Sequence, residues 1–176
     1  MAAVKMDFTI RPAAKSDCKD IWRLIRELAI YEKVVDEVVL SYEEFERDGF
    51  GKNPLFESLV AEVPEENKSK EGFTVVGVAL FYYTYCTWKG RAVYLEDLYV
   101  MTEFRGCGIG KGLLSTLAKV AKEKLCTLLE LDVLDQNSRS RAFYAAKGAW
   151  DVTAMDNWHT LRFDAVSLNK LANEAP

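Results

Sequence analysis

The sequence predicts an α/β (α+β) fold, in which a mixed, mostly antiparallel twisted sheet of six to seven strands is flanked by helices. Residues 55–63 and 74–85 are runs rich in β-branched and aromatic side chains, which are typical of strands. Residues 21–29 repeat apolar side chains at helical spacing. A glycine-rich segment, 105–111, lies between a strand-like run and a helix-like run. The chain length fits one domain, 1–176.

The first elements are a strand and an amphipathic helix. The strand is expected at 6–11, where Pro12 ends it. Ser16 or Asp17 can cap the helix that follows. One apolar stripe of that helix consists of Ile21, Leu24, Ile25, Leu28 and Ala29.

The middle of the chain predicts a short helix and then most of the sheet. Ser41 and Glu44 have the spacing of a capping box ahead of a helix at 42–48. The polar loop 64–72 then joins the two antiparallel strands. The remaining elements, in order, are a strand at 93–100, the glycine-rich segment, a helix to about residue 124, a strand at 127–134, a helix from residue 137, a closing strand at 160–163 and a short helix at 165–172.

Three alternating glycines, Gly106, Gly108 and Gly110, form the turn between strand 93–100 and the next helix. Backbone N–H groups in such a turn converge on an anion at the helix N-terminus, where the helix dipole also favours negative charge. The dinucleotide fingerprint fails in both frames, and a P-loop fails because of Arg105 and Gly112. The remaining pattern, Arg-x-x-Gly-x-Gly, resembles the pyrophosphate loop of acetyl-coenzyme-A-dependent N-acetyltransferases; a tight turn without a ligand is the alternative.

A second signal follows the next strand. Asn137 is a suitable helix N-cap, and Gly148 is a suitable C-terminal stop. Tyr144 lies seven residues after Asn137, two turns along the same helix face. A tyrosine of the hydrophobic core is the alternative for Tyr144. With the glycine loop before it, this strand and helix resemble the GCN5-related N-acetyltransferase (GNAT) superfamily.

Composition and charge favour a cytoplasmic enzyme. No run of about 18 apolar residues and no secretory signal pattern occurs, so we expect no membrane partner. Four cysteines without metal-type spacing and a single histidine predict no metal site, and unpaired thiols are typical of the reducing cytosol. The formal charge of −4 argues against nucleic acid and is compatible with a cationic substrate.

A closer resemblance extends over nearly the whole chain. The motifs that carry it are Arg11-Pro12-Ala13, Leu24-Ile25-Arg26-Glu27-Leu28-Ala29, Tyr31-Glu32, Asp48-Gly49-Phe50-Gly51, Leu59-Val60-Ala61-Glu62-Val63, Tyr94-Leu95-Glu96-Asp97 and Tyr99-Val100-Met101. Together they resemble the spermidine/spermine N-acetyltransferase family. One branch of that family acetylates polyamines such as spermidine and spermine, and the other prefers thialysine and related lysine-like amines. The family forms homodimers, so the resemblance implies a homodimer here.

The resemblance implies a direct acetyl transfer in a ternary complex, with acetyl-CoA as cosubstrate and no metal. Glu96 matches the family's acidic residue that accepts the proton of the amine, and Tyr144 matches its general acid. A salt-bridged carboxylate of the sheet is the alternative for Glu96. The positions that match the cofactor-binding residues are Leu98, Tyr99, Val100, Arg105, Gly106, Cys107, Gly108, Ile109, Gly110, Lys111, Asn137, Ser138, Arg139 and Ser140.

Acidic and aromatic positions match the family's amine site. They are Tyr31, Glu32, Glu96, Glu130, Leu131, Asp132 and Asp156. Acids suit a substrate with a second cationic group, because a buried ammonium needs a partner. Residues at the end of an amphipathic helix are the alternative for Tyr31 and Glu32. Two other functions stay open, a coenzyme-A-binding interaction protein with little turnover and a protein lysine acetyltransferase.

Overall fold

A computed structural model describes residues 6–156 and 159–176. The chain divides into two compact units, Met1–Asp132 and Val133–Pro176. The first contains the sheet and the longer helices, and the second contains only short helices among its described residues. No helix in these two described ranges is long and apolar enough to cross a membrane.

The sheet lies entirely in the first unit and is mixed, as predicted. Its strands, in spatial as well as chain order, are β1 (Thr9–Pro12), β2 (Glu57–Glu62), β3 (Val75–Cys86), β4 (Gly90–Val100) and β5 (Leu128–Leu131). The first three pairings are antiparallel, and β4 pairs with β5 in parallel. A mixed, mostly antiparallel sheet is therefore confirmed.

The predicted strand count of six to seven exceeds the five strands that the described residues form. The closing strand expected at 160–163 is not a strand, since residues 159–164 have no regular structure. Four alternating residues satisfy a strand pattern, but a strand also needs a hydrogen-bonding partner, which no local pattern specifies. The strand expected at 127–134 ends at Leu131.

The helices of the described residues are α1 (Cys18–Glu32), α2 (Tyr42–Phe50), α3 (Ile109–Glu123), α4 (Ser138–Ala145), α5 (Val152–Asp156) and α6 (Ala165–Ala172). Five of these six helices agree closely with their predicted positions, and α5 lies where none was predicted. Short 3₁₀ helices occupy Lys15–Asp17, Val35–Glu37, Glu65–Asn67 and Thr102–Phe104. The capping box of α2 is confirmed, because Ser41 Oγ accepts from Glu44 N and the Glu44 carboxylate accepts from Ser41 N.

The core of the first unit surrounds the middle of β3. Every residue from Val75 to Phe81 is buried, so both faces of the sheet are covered there. Ile21 and Leu24 of α1 and Leu113 of α3 are fully buried. Burying each such side chain stabilises the fold by about 1.5–3 kcal/mol. This packing makes β3 and β4 a rigid base for the site.

Two irregularities of β4 expose its centre. Leu80 pairs with Asp97 and Phe81 pairs with Leu95, so the intervening Glu96 forms a bulge without a partner on β3. The parallel pairing with β5 ends at Leu95. Beyond that residue, the edge of β4 that faces β5 has no strand partner in the described sheet. Bulges of this kind re-aim side chains and often lie beside active sites.

Candidate active site

Two adjacent carboxylates stand at the bulge of β4. Glu96 is exposed and Asp97 is half-buried. Burial raises the pKa of Asp97 to about 7, and the negative charges of Glu96 and Glu32 add to the rise. Asp97 therefore changes charge near neutral pH. Sequence reasoning assigned a role to Glu96 and not to Asp97, although adjacency to Glu96 at the end of a buried run was a usable signal.

Two stacked tyrosines hold the acids of this face. Tyr82 on β3 lies directly opposite Tyr94 on β4, and their ring centroids are 5.3 Å apart. The Tyr82 hydroxyl donates to a Glu96 carboxylate oxygen at 3.0 Å. Tyr94 lies beside Glu130 in the register of β4 and β5, and burial, followed by the nearby Asp132 carboxylate, raises the pKa of the Tyr94 phenol. Burial, followed by the hydrogen bond to Glu96, raises the pKa of Tyr82 to about 12.

The predicted residues of β5 lie next to this tyrosine pair. Glu130 is the parallel partner of Tyr94, and Leu131 is the partner of Leu95. Asp132 follows directly and is exposed. Because side chains alternate along a strand, Glu130 and Asp132 share one face and Leu131 takes the other. The first unit thus brings Glu96, Asp132 and Glu130 together, while sequence reasoning missed the tyrosines because period-two aromatics also fit a sheet core.

The end of α1 contributes Tyr31 and Glu32. The Arg105 guanidinium carbon lies 4.4 Å from the centroid of the Tyr31 ring and 5.4 Å from that of Tyr99. Arg105 Nε also donates to the Val100 carbonyl oxygen at 2.9 Å. Tyr31 matches a position of the family's amine site, and the Arg105 guanidinium already takes one cation–π position on its ring. The end of α1 therefore contacts the residue that begins the glycine segment.

The glycine loop has the backbone of an anion site. Gly106 and Gly108 have φ of +87° and +92°, values that L side chains rarely adopt. The first intrahelical bond runs from Gly112 N to Gly108 O, so the N–H groups of residues 109–111 have no acceptor within α3. Lys111 is exposed and Cys107 is half-buried with a free thiol. Converging N–H groups, a helix N-terminus and a lysine fit a pyrophosphate.

The predicted pantetheine-binding residues, Leu98, Tyr99 and Val100, continue β4 past the end of its pairing with β5. Each strand offers hydrogen-bonding groups on two sides, and β3 takes one side here. The other side can therefore pair with an extended amide-containing ligand. Ile109 and Gly110 begin α3, and Gly110 leaves space above Val100, whose nearest atom would lie 3.8 Å from an added Cβ.

The second unit carries the other predicted residues. Asn137 caps α4, since its side-chain oxygen accepts from Ser140 N. Ser138 and Arg139 form the first turn of this helix. Tyr144 lies near its C-terminal end, where its ring packs against Phe143 with centroids 5.3 Å apart. The predicted C-terminal stop is confirmed by Gly148, whose φ is +93°.

Asp156 ends α5, a short helix that the sequence analysis did not predict. Asp151 Oδ1 accepts from Ala154 N and so caps that helix. Arg141 of α4 donates to the carboxylates of Asp135 and Asp151, which ties the segments on both sides of α4 together. Arg141 thus pairs with two acids within the second unit.

No group of three or more histidine, cysteine or acidic side chains within residues 6–156 and 159–176 could hold a metal ion. Carboxylates, phenols and backbone groups are the polar groups that the first unit presents at the bulge of β4 and at the glycine loop. Such groups are those that hold a phosphate ester, pair with an amide and accept a proton from an amine.

Comparison with protein families decides the class. The family model described as "Acetyltransferase (GNAT) family" matches residues 21–149, which is most of the chain. The chain is a GNAT acetyltransferase. Enzymes of this family use acetyl-CoA, in agreement with the glycine loop at the start of α3.

Curated relatives place this acetyltransferase in the spermidine/spermine acetyltransferase branch. It is 47% identical over 165 residues to a bovine (Bos taurus) thialysine N-epsilon-acetyltransferase, a match that covers 94% of this chain and 97% of the relative. It is 45% identical to the mouse (Mus musculus) protein of the same name, over 93% of this chain and 96% of that one. A human (Homo sapiens) spermidine/spermine N(1)-acetyltransferase-like protein 1 is 40% identical, over 99% of this chain and 25% of its own length.

Solved structures share the fold. An integron cassette protein from V. cholerae superposes with a TM-score of 0.74 at 24% identity and covers 96% of this chain and 99% of that chain. An aminoglycoside acetyltransferase from a soil metagenomic sample has a TM-score of 0.67 at 19% identity, over 89% and 94% of the two chains. These likenesses support the GNAT fold of the acetyltransferase.

Proposed function

We propose that this acetyltransferase moves the acetyl group of acetyl-CoA to a primary amine of a small substrate that carries a second ammonium group. A lysine-like amine such as thialysine is the first candidate. The observation that carries the proposal is the 47% identity, over 94% of the chain, to a relative named as a thialysine acetyltransferase. Spermidine and spermine are the second candidate, because a relative at 40% identity is named for them.

The electrostatics of the first unit support a cationic substrate. Glu96, Glu130 and Asp132 share a face of the sheet, Asp97 follows Glu96, and Glu32 lies close enough to Asp97 to raise its pKa. Among the residues that the structure describes, no lysine or arginine lies within salt-bridge distance of Glu96, Asp97, Glu130 or Asp132. Acids that the fold leaves without a basic partner favour binding of an ammonium from outside.

The proposed chemistry begins with a proton. A primary amine with a pKa near 10.4 is neutral in only about one molecule in a thousand at pH 7, and only the neutral form attacks. In the proposal, Glu96 accepts this proton, directly or through a water molecule. A bond forms between the amine nitrogen and the acetyl carbon, the carbon–sulfur bond breaks, and Tyr144 donates a proton to the departing sulfur. The nitrogen then releases its second proton, and this proton restores the Tyr144 phenol, so that the one proton taken by Glu96 is the net product. Acetyl-CoA supplies the acetyl group.

Cofactor binding is assigned to backbone as much as to side chains. The N–H groups of residues 106–111 would hold the pyrophosphate, with charge from Lys111. The free edge of residues 98–100 would pair with the pantetheine arm and donate to the thioester carbonyl oxygen. Asn137 and Ser140 at the start of α4 would complete the cofactor side.

Acetyl transfer to thialysine, followed by mass spectrometry, tests the proposal. The Tyr144→Phe variant keeps the ring and removes the hydroxyl, so we expect kcat to fall about 100-fold. Coenzyme A binding, measured by calorimetry, is expected to stay within about twofold of the wild type. A kcat that is unchanged in Tyr144→Phe would contradict the role of Tyr144. Coenzyme A binding by a wild type that acetylates no amine would favour an interaction protein, and turnover of basic peptides alone would favour a protein lysine acetyltransferase.

A further inference from the structure

The tyrosine pair of the sheet serves the two acids beside it. Tyr82 and Tyr94 are direct partners in the antiparallel register of β3 and β4, and their rings are stacked at an interplanar angle of 24°. Tyr82 hydrogen-bonds to Glu96, and Tyr94 lies beside Glu130 on the face of the sheet that also carries Asp132. The phenols thus branch from one stacked unit toward two different carboxylates.

The geometry of Glu96 explains why it needs such a partner. As the bulge residue, Glu96 has no partner on β3, and its side chain is exposed. An exposed glutamate samples many rotamers, and fixing it costs up to about 2 kcal/mol of side-chain entropy. The 3.0 Å bond from the Tyr82 hydroxyl selects one of those rotamers before substrate arrives. Catalytic groups gain most from being held in place in this way.

Asp132 has a similar need. The pairing of β5 ends at Leu131, so the ladder with β4 does not fix Asp132. Its carboxylate is exposed and interacts with the Tyr94 hydroxyl. Burial is the main cause that raises the pKa of Tyr94 above its ordinary value, so the phenol stays protonated and donates at neutral pH.

We infer that the stacked pair Tyr82–Tyr94 is a positioning element in which Tyr82 orients Glu96 for proton acceptance and Tyr94 orients Asp132 toward the second ammonium group of the substrate. The inference rests on the proposed function and adds two residues to it. It also assigns different steps to the two tyrosines. Tyr82 acts on catalysis, and Tyr94 acts on the recognition of a dication.

Tyr82→Phe and Tyr94→Phe separate these steps. Each substitution removes a hydroxyl and keeps the stacked ring. Tyr85→Phe is the matched control, since Tyr85 is on the same strand and its side chain is 72% exposed. We expect this control to keep the wild-type kinetics. Urea denaturation of all variants identifies any loss of folding.

For Tyr82→Phe, the measurement is how kcat/KM depends on the basicity of the amine substrate. With a strongly basic amine we expect kcat/KM to fall about tenfold. This loss is smaller than the rate enhancement of about 10²–10⁴ that a general base supplies, because Glu96 itself is still present. With a β-fluorinated analogue that is largely neutral at the assay pH, the loss should be less than about threefold, since little proton acceptance is needed. Equal losses for both amines would overturn the role of Tyr82, because a structural defect affects both alike.

For Tyr94→Phe, the readout is KM. We expect KM for thialysine to rise about tenfold, because a misoriented carboxylate binds the second ammonium less well. KM for the analogue that lacks the α-ammonium group, and kcat for both, should change less than about twofold. An equal rise in KM for both amines would overturn the role of Tyr94.

A double-mutant cycle and a spectroscopic measurement complete the test. If Tyr82 acts through Glu96, adding Tyr82→Phe to Glu96→Gln causes no further loss of kcat, whereas additive losses would contradict the inference. If Tyr82→Phe does not fold, ¹³C NMR of the tyrosine Cζ atoms in Glu96→Gln replaces it. The Tyr82 pKa should then fall from about 12, and an unchanged value would show that the contact is absent.

Different results would contradict the positioning roles of the tyrosines and the proposed function. If the wild type acetylates dications but the phenylalanine variants lose activity without regard to basicity or charge, only the positioning inference is wrong. If the wild type acetylates no small amine at all, the proposed function is wrong and the positioning roles fall with it.

Discussion

The two ends of the site in the first unit are built from different parts of the chain. At the bulge of β4 and the end of β5, Glu96, Asp97 and Asp132 provide charge through side chains, and the Tyr82 hydroxyl holds Glu96. Ten residues after Glu96, the loop that begins at Gly106 provides backbone N–H groups and uses glycines to present them. An amine site made of side chains can change its preference by substitution. A cofactor site made of backbone depends on conformation instead.

Removal of the Glu96 charge should have the largest effect and is confined to the amine end. For Glu96→Gln we expect kcat to fall by about 10² or more, because the amine loses its proton acceptor. The dissociation constant for coenzyme A, measured by calorimetry, should be unchanged, since the loop does not involve this side chain. A variant that loses cofactor binding along with kcat would break the separation of the two ends.

Asp97 makes the stability of the amine end depend on pH. Its pKa is raised to about 7 by burial, so between pH 4 and 7 the native state binds more protons than the unfolded state. Unfolding free energy therefore decreases as the pH rises through this range. Asp97→Asn removes that decrease, and we expect the variant to be about 2 kcal/mol more stable than the wild type at pH 8. At pH 4 the two proteins should be equally stable.

Urea denaturation at both pH values measures this difference. Glu103→Gln is a suitable control, because Glu103 is exposed and lies after the end of β4. Equal stability of Asp97→Asn and the wild type at pH 8 would contradict the buried, charge-sensitive state of Asp97.

A glycine substitution tests the backbone end with a smaller effect. Gly108 has φ of +92°, and an L residue in a left-handed conformation costs roughly 1–2 kcal/mol. We expect Gly108→Ala to weaken coenzyme A binding about tenfold and to leave KM for the amine unchanged.

The control is Gly72→Ala. Gly72 has φ of +91° with nothing within 4 Å of an added Cβ, and it belongs to the loop 64–72 and not to the glycine segment 105–111. Gly72→Ala should lower the free energy of unfolding about as much as Gly108→Ala does, and it should leave the affinity for coenzyme A unchanged. Equal loss of affinity in both variants would show that strain in general, and not the loop, governs binding.

The comparison also explains what could be predicted from the sequence. The glycine turn at the start of α3 was predicted from the sequence, because positive φ at the entry of a helix favours glycines at closely spaced positions. The capping box of α2 and the limits of α6 were predicted for the same reason, since these features are local. Most of the fold could therefore be read from patterns within a few residues.

Features that depend on pairing between distant strands were not predictable in this way. The bulge at Glu96 arises from the register of β4 against β3, and the end of the β5 ladder at Leu131 arises from divergence of two strands. Consequently the contacts of Tyr82 and Tyr94 had no sequence signature, and the sequence signal for Asp97 was limited to its position next to Glu96. The prediction of a strand at 160–163 was wrong for the same reason, because a strand needs a hydrogen-bonding partner as well as a sequence pattern.

The most direct test of the account compares kcat/KM for thialysine with kcat/KM for its analogue that lacks the α-ammonium group, with acetyl-CoA as donor. If the acids of β4 and β5 bind a second cationic group, thialysine should be preferred about 100-fold, which corresponds to one well-placed charged contact. Equal kcat/KM values for the two amines would contradict the central claim that these carboxylates select a small dication.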